Sequence, residues 1–212
     1  MTRTDQPWYQ WHAQYDDLRS AETARLEVVQ RFLNRAFDEA PPGPLKAVSV
    51  CAGQARDLLP VLIHHARGAD VAARMVELDP LNAAFLFGAI GSTRLVDVDV
   101  VVADAGITDA YIGAIPAHLV LLGGVFANIS LADASRTVDA LATLCRPGGT
   151  IVWTSYGENL ADADEVVALF ETSSFERIDH CWGERRDYLV AAYRYMGPQR
   201  GLTPQHRFFH FS

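Results

Sequence analysis

The feature that most constrains the fold is an alternation. Short apolar runs at 47–51, 71–77, 98–102, 118–123 and 149–154 are separated by segments with helical spacing, one ending near His65 and one starting at Pro80. Strands spaced by helices pair in parallel, with a crossover at each step and helices on both faces of the sheet. After Asp162, "ADEVVALFET" reads as another helix, and "FERIDHCW" and "DYLVAAYRYM" read as strands joined by the short link "GERR". So short a link predicts an antiparallel closing pair. Ahead of the alternation, Leu18, Leu26, Val29, Phe32, Leu33, Ala36 and Phe37 keep helical spacing until "APPGP" at 40–44 stops the helix. The expected architecture is α/β: a doubly wound, seven-stranded, mostly parallel sheet with an antiparallel closing strand, preceded by an N-terminal helical segment.

Half of the 212 residues are hydrophobic, enough for one well-packed core. Cys51, Cys145 and Cys181 lie far apart, so neither a disulfide framework nor a zinc site is expected, and no metal ligand set stands out. A net charge of −8 and a single lysine, Lys46, argue against a sequence-independent grip on nucleic acid. The apolar runs are too short to span a membrane, and "MTRTDQPWYQWHAQYDD" lacks the apolar stretch of a signal peptide. A cytoplasmic protein with a small-molecule partner, without nucleic acid or membrane, is the expectation; a homodimer is compatible with it.

In a doubly wound sheet, ligands bind beyond the carboxyl ends of the strands. The first strand runs into "CAGQARD", where Gly53 allows close backbone approach and the following helix offers free N–H groups. The second ends in "VELDP", placing Glu77 where a carboxylate can accept from two ribose hydroxyls. The third ends in "VVADAG", where Asp104 can accept from an adenine amino group and Ala105 can give its N–H. This order suits adenosyl cofactors in general. A nicotinamide-dependent oxidoreductase is the alternative, but the pyrophosphate loop GxGxxG would here read CxGxxR, with Arg56 at its third glycine. A cofactor without phosphate needs only one close-approach glycine.

Over residues 45 to 195, "VSVCAGQARDLLP", "VELDP", "VVADAG", "LVLLGGVFANIS" and "LCRPGGTIVWTS" make the chain resemble a class I S-adenosylmethionine-dependent methyltransferase of Rossmann-like fold. More narrowly, it is similar to small actinobacterial methyltransferases that carry "RL..VQ" before the loop, matched by Arg25, Leu26, Val29 and Gln30. It departs from them at Ala55 and Ala127, which replace glycines, and at Ser49 and His118, which replace acidic residues. The resemblance implies S-adenosyl-L-methionine as cofactor, with Ala52, Gly53 and Gln54 along its methionine part. It further implies Glu77 on the ribose, Leu78, Asp104 and Ala105 around the adenine, and Gly123 and Gly124 under the sulfonium. Residues 1–44 would form a helical lid capping the substrate, and 45–212 the cofactor-binding domain. A non-catalytic binding module of the same fold is a further alternative.

Methyl transfer is an in-line displacement, so alignment carries most of it, and a base is needed only where the acceptor holds a proton. His180, late in a strand, and His12, in the aromatic N-terminal segment, are the histidines expected to face the pocket; Asn128 and Tyr156 follow the fourth and fifth strands. These four are the catalytic candidates. Trp11, Tyr15, Asp16 and Glu158 are the candidate substrate contacts, because flat aromatics with carboxylates suit a hydroxylated ligand such as a saccharide. The activity expected is methylation of a small-molecule hydroxyl.

Overall fold

The computed structural model describes residues 8–211, without the side chains of 158, 159 and 161. Strand pairing follows the alternation. Leu45–Val50 (β1), Val71–Glu77 (β2), Val98–Val102 (β3), Ala117–Leu122 (β4) and Cys145–Tyr156 (β5) lie parallel. Phe175–Trp182 (β6) and Tyr188–Tyr195 (β7) complete the sheet, β7 lying antiparallel between β5 and β6. The order is β3-β2-β1-β4-β5-β7-β6, so the chain reverses direction of growth between β1 and β4. A crevice opens at such a switch point, beyond the carboxyl ends of the two strands.

Among the described residues six α-helices, Trp8–Trp11 (α1), Ala21–Asp38 (α2), Leu58–His64 (α3), Pro80–Gly91 (α4), Leu131–Leu144 (α5) and Ala163–Glu171 (α6), flank or cap the sheet. Their starts are written in the sequence. Ser20 caps α2 by accepting from Thr23 N–H, Asp79 caps α4 ahead of Pro80, and Ser130 caps α5 through Asp133 N–H. Each satisfies donors that the first turn leaves orphaned. Along β5 the period-2 pleat sends Ile151 and Trp153 to one face and Val152 to the other. Trp153 and Tyr193 stack on the two sides of Phe170 of α6, at 5.7 and 4.5 Å between ring centroids.

The opposite face is covered largely by α2. Val29, Phe32, Leu33 and Phe37 pack in one cluster with Val152, Val190 and Ala192 of the sheet. This helix is therefore a layer of the core, and the parts of the N-terminal segment that reach the cavity over the strand ends are α1, the 3-10 turn His12–Asp16 and the N-terminal half of α2. The C-terminal segment, polar and aromatic in sequence, is also tied down. Phe208 N–H donates to Gly106 O at 2.9 Å, Thr108 N–H donates to His206 O at 3.0 Å, and Phe208 and Phe209 are buried.

Because Leu33 is wholly buried, Leu33→Ala is expected to destabilise the protein by about 2–5 kcal/mol. Thermal unfolding checks this. A detachable lid helix would leave the main transition unmoved.

Candidate active site

A cavity of about 390 Å³ lies over the carboxyl ends of β1, β2 and β4. Its floor is the loop after β1. Gly53 takes a φ of +56°, and a Cβ built on it would fall 2.5 Å from His12 Nε2, so the imidazole rests on the glycine where any side chain would displace it. Cys51 and Ala55, the small residues standing where glycines were expected, also adopt left-handed backbone, with φ of 55° and 46°.

Glu77 fixes this loop. One carboxylate oxygen accepts from Gly53 N–H at 2.6 Å and the other from Asp79 N–H at 2.7 Å, and the side chain is 7% exposed. Burial pushes its pKa up while the two backbone donors oppose the shift. Each oxygen keeps a second lone pair. At the next strand end, Asp104 accepts from Gly106 N–H at 2.8 Å and pairs with Arg207 at 2.6 Å. Arg207, Phe209 and Phe211 bring the C-terminal segment to the rim, and Phe211 meets Trp8 of α1 at 6.2 Å.

At the β4 end, Gly124 donates its N–H to Thr154 Oγ1 and accepts at its carbonyl from Asn128 Nδ2, at 2.8 and 2.7 Å. With φ at +74°, a Cβ there would stand 2.8 Å from the Tyr156 ring. Trp11 stacks on the same ring at 5.5 Å, and Tyr15 packs against Trp11 and His12.

Of the residues expected from sequence, Ala52, Gly53, Glu77, Leu78, Asp104, Ala105, Gly123, Gly124, Asn128, Tyr156, Trp11, Tyr15 and His12 line this one cavity. Gln54 is buried with its side chain turned to Arg56, away from the lining. His180 is a correction: it sits exposed on β6, the far edge strand, because the antiparallel β7 lies between β6 and β5. Asp16 is another, exposed and held by Arg56 at 2.9 Å outside the cavity. The side chain of Glu158 lies outside the described residues. Sequence reasoning missed three groups as site residues: Arg25 of α2, Asp57 after the loop, and the aromatic C-terminal segment. The first two stand inside the quoted "RL..VQ" and "CAGQARD" stretches, so a signal was present.

Besides Glu77, His12 and Asp57 stand out among the lining groups that burial shifts. His12 is lowered to about 4, by burial first and then by Arg56, with Arg25 adding to it and Asp79 opposing. Asp57 is raised to about 6 by burial, opposed by the Leu58 N–H and by Arg25. Buried polar atoms without a partner among the described residues include His12 Nδ1 and Asn82 Oδ1, both on cavity-lining side chains. Buried polar groups are normally paired, so their presence here fits a site built for a polar ligand. Carboxylates at two successive strand ends and these orphaned atoms give the cavity wall several groups able to bond a polar ligand.

No family model and no curated protein sequence matches the chain. Solved structures do. The CurJ carbon methyltransferase superposes with a TM-score of 0.68 at 13% identity, over 92% of this chain and 61% of its own. An O-methyltransferase family protein from Burkholderia thailandensis gives 0.66 at 14%, over 89% and 60%. A putative rRNA-methylase from Clostridium thermocellum gives 0.62 at 11%, over 82% and 96%. This chain thus spans about three fifths of the first two. The likeness is one of fold, shared by enzymes whose names specify different acceptors.

His12 and Asp57 act on stability in opposite senses. For His12 the unfolded chain binds more protons between pH 6.5 and about 4, so its contribution is lost as pH falls through that window. For Asp57 the folded chain binds more between about 6 and 3.8, so its contribution grows as pH falls. Global melting would blur them. The expected result is an NMR titration of the His12 imidazole with its midpoint near pH 4; a midpoint above 6 would mean that the ring is solvated.

Proposed function

We propose that this chain, built on the fold of the class I S-adenosylmethionine-dependent methyltransferases, binds S-adenosylmethionine and transfers its methyl group to a small molecule. The observation that carries the reading is Glu77. It is a buried carboxylate at the end of β2, fastened to the N–H of the one close-approach glycine and still able to accept from a ribose. Asp104 and Ala105 supply an adenine edge one strand further on, and Leu78 lies beside them in the wall. When bound, the cofactor supplies an electrophilic methyl group on a positively charged sulfur.

What remains for the protein is alignment. Gly124, held on both sides by Thr154 and Asn128, lets the Tyr156 ring pack directly on the backbone at the β4 end, which fixes that ring at the cavity wall. Trp8, Trp11 and Tyr15 form an aromatic roof over this corner. His12 is neutral at pH 7 and so can receive a proton, but a base with a pKa near 4 does so efficiently only from an acidic hydroxyl. Within oxygen acceptors the reading favours groups already ionised at pH 7, which need no base. Asp16, one of the carboxylates expected to accept from sugar hydroxyls, is held by Arg56 outside the cavity and gives a saccharide no support. The net charge of −8 supports a small acceptor over a nucleic acid.

Calorimetry with S-adenosylhomocysteine is expected to show binding by the wild type. Glu77→Ala, checked by thermal melting for a folded state, should weaken it about 100-fold or more, since two hydrogen bonds to a charged group are lost at about 1.5–3 kcal/mol each. No heat from the wild type at millimolar ligand overturns the reading.

A further inference from the structure

The outward face of α4 carries no charge. Its sequence, "PLNAAFLFGAIG", has Asn82 as its one polar side chain, and Asn82 is buried. A helix that is apolar all round is normally enclosed on every side. Only one side of α4 is enclosed: Asn82, Ala83 and Leu86 are buried, whereas Leu81 is 59% exposed, Phe85 39% and Phe87 54%. Other helices turn charge to solvent at such positions, α2 with Glu27, Arg31 and Arg35 and α5 with Arg136 and Asp139. Leu78, 62% exposed just ahead of the helix, carries the apolar face to the rim of the cavity. With about 150–250 Å² to each large side chain, these four residues leave roughly 400 Å² of apolar surface open. Pro80, Ala84, Gly88 and Gly91 are exposed on the same helix, which brings the total toward the roughly 600 Å² per partner at which specific interfaces begin.

We propose that this face is where a second copy of the chain docks, the two α4 helices packing antiparallel about a two-fold axis. What selects a second copy is the shape of the face. It is bulky toward one end, where Leu81 and Phe85 stand, and empty toward the other, where a Cβ built on Gly88 or Gly91 would meet no heavy atom within 4 Å. A two-fold axis crossing the middle of α4 turns the bulky end of each copy onto the empty end of its partner, so one arrangement fills both gaps. Side-chain ridges set into such grooves are how helices pack. Residues 1–7 have no Leu, Ile, Val or aromatic side chain with which to cover the face. A membrane surface fits it poorly, because an interfacial helix carries Lys or Arg on its polar side and α4 has neither. Leu78 and Pro80 also line the cavity, so the partner stands beside its mouth whatever ligand fills it.

Sedimentation velocity of the full chain over a concentration series tests this. The wild type is expected to pass from mostly monomer at about 1 µM to mostly dimer at about 200 µM, as an interface at the small end of the range requires. Two substitutions suit the free helix and spoil only the pairing. Gly88→Arg fills the gap while replacing a poor helix former with a good one. Leu81→Glu puts a carboxylate in the first turn, where the helix dipole favours it, and would bury an unpaired charge in the dimer. Each is expected to weaken dimerisation about tenfold or more, with a melting temperature at the lowest concentration no lower than that of the wild type. A wild type that stays monomeric across the series overturns the proposal and leaves the face to an unlike partner. A wild-type dimer that either substitution leaves at full strength also overturns it, since the copies then meet elsewhere.

Discussion

The carboxylate of Glu77 joins two strand ends that would otherwise carry independent loops. Its 2.6 Å bond to Gly53 N–H sets the loop after β1, and its 2.7 Å bond to Asp79 N–H sets the start of α4, whose cap is the Asp79 side chain. Both bonds are charge-assisted and shielded from water, the condition under which such contacts are strongest. The rest of the site is arranged around this point. His12 rests on Gly53, where no Cβ stands in its way, and the roof of Trp11, Tyr15 and Tyr156 packs in turn against His12 and Arg25.

The loop itself changes meaning once its backbone is seen. The missing glycines pointed toward a ligand with no phosphate to cradle, and Cys51 and Ala55 looked like tolerable small residues. Yet both take the left-handed conformation that glycine adopts freely, at a cost of roughly 1–2 kcal/mol each. The shape of a glycine-rich loop has been kept while two of its glycines have not. Such strain persists only where the surroundings hold it, here Glu77 on one side and the wholly packed Val50 on the other.

Much of this was legible in the sequence for local reasons. Short apolar runs marked the strands and helical spacing the helices, Pro and Gly gave the breaks, and the carboxylates of Glu77 and Asp104 stood at the ends of strands already recognised. What failed were inferences across the chain. His180 looked pocket-facing because it comes late in a strand, but position along a strand says nothing of where the strand sits, and β7 displaced β6 to the edge. Arg25 was visible only as part of a motif, since a helical pattern shows which face is apolar without showing which cavity that face overhangs. The C-terminal segment gave no signal at all: its bonds to Gly106 and Thr108 join residues about a hundred positions apart.

That last pairing has a consequence in time. Trp8 and Phe211 meet over the cavity, so its roof is made from two stretches lying at opposite ends of the described chain. A growing polypeptide can form β1, β2 and the Glu77 bond early, but the aromatic wall beside Asp104 cannot close until residues 207–211 have been synthesised. Closing so long a loop adds little entropy beyond a shorter one, so the delay is set by synthesis rather than by search. A completed roof is thus a marker that nearly the whole described chain has been made.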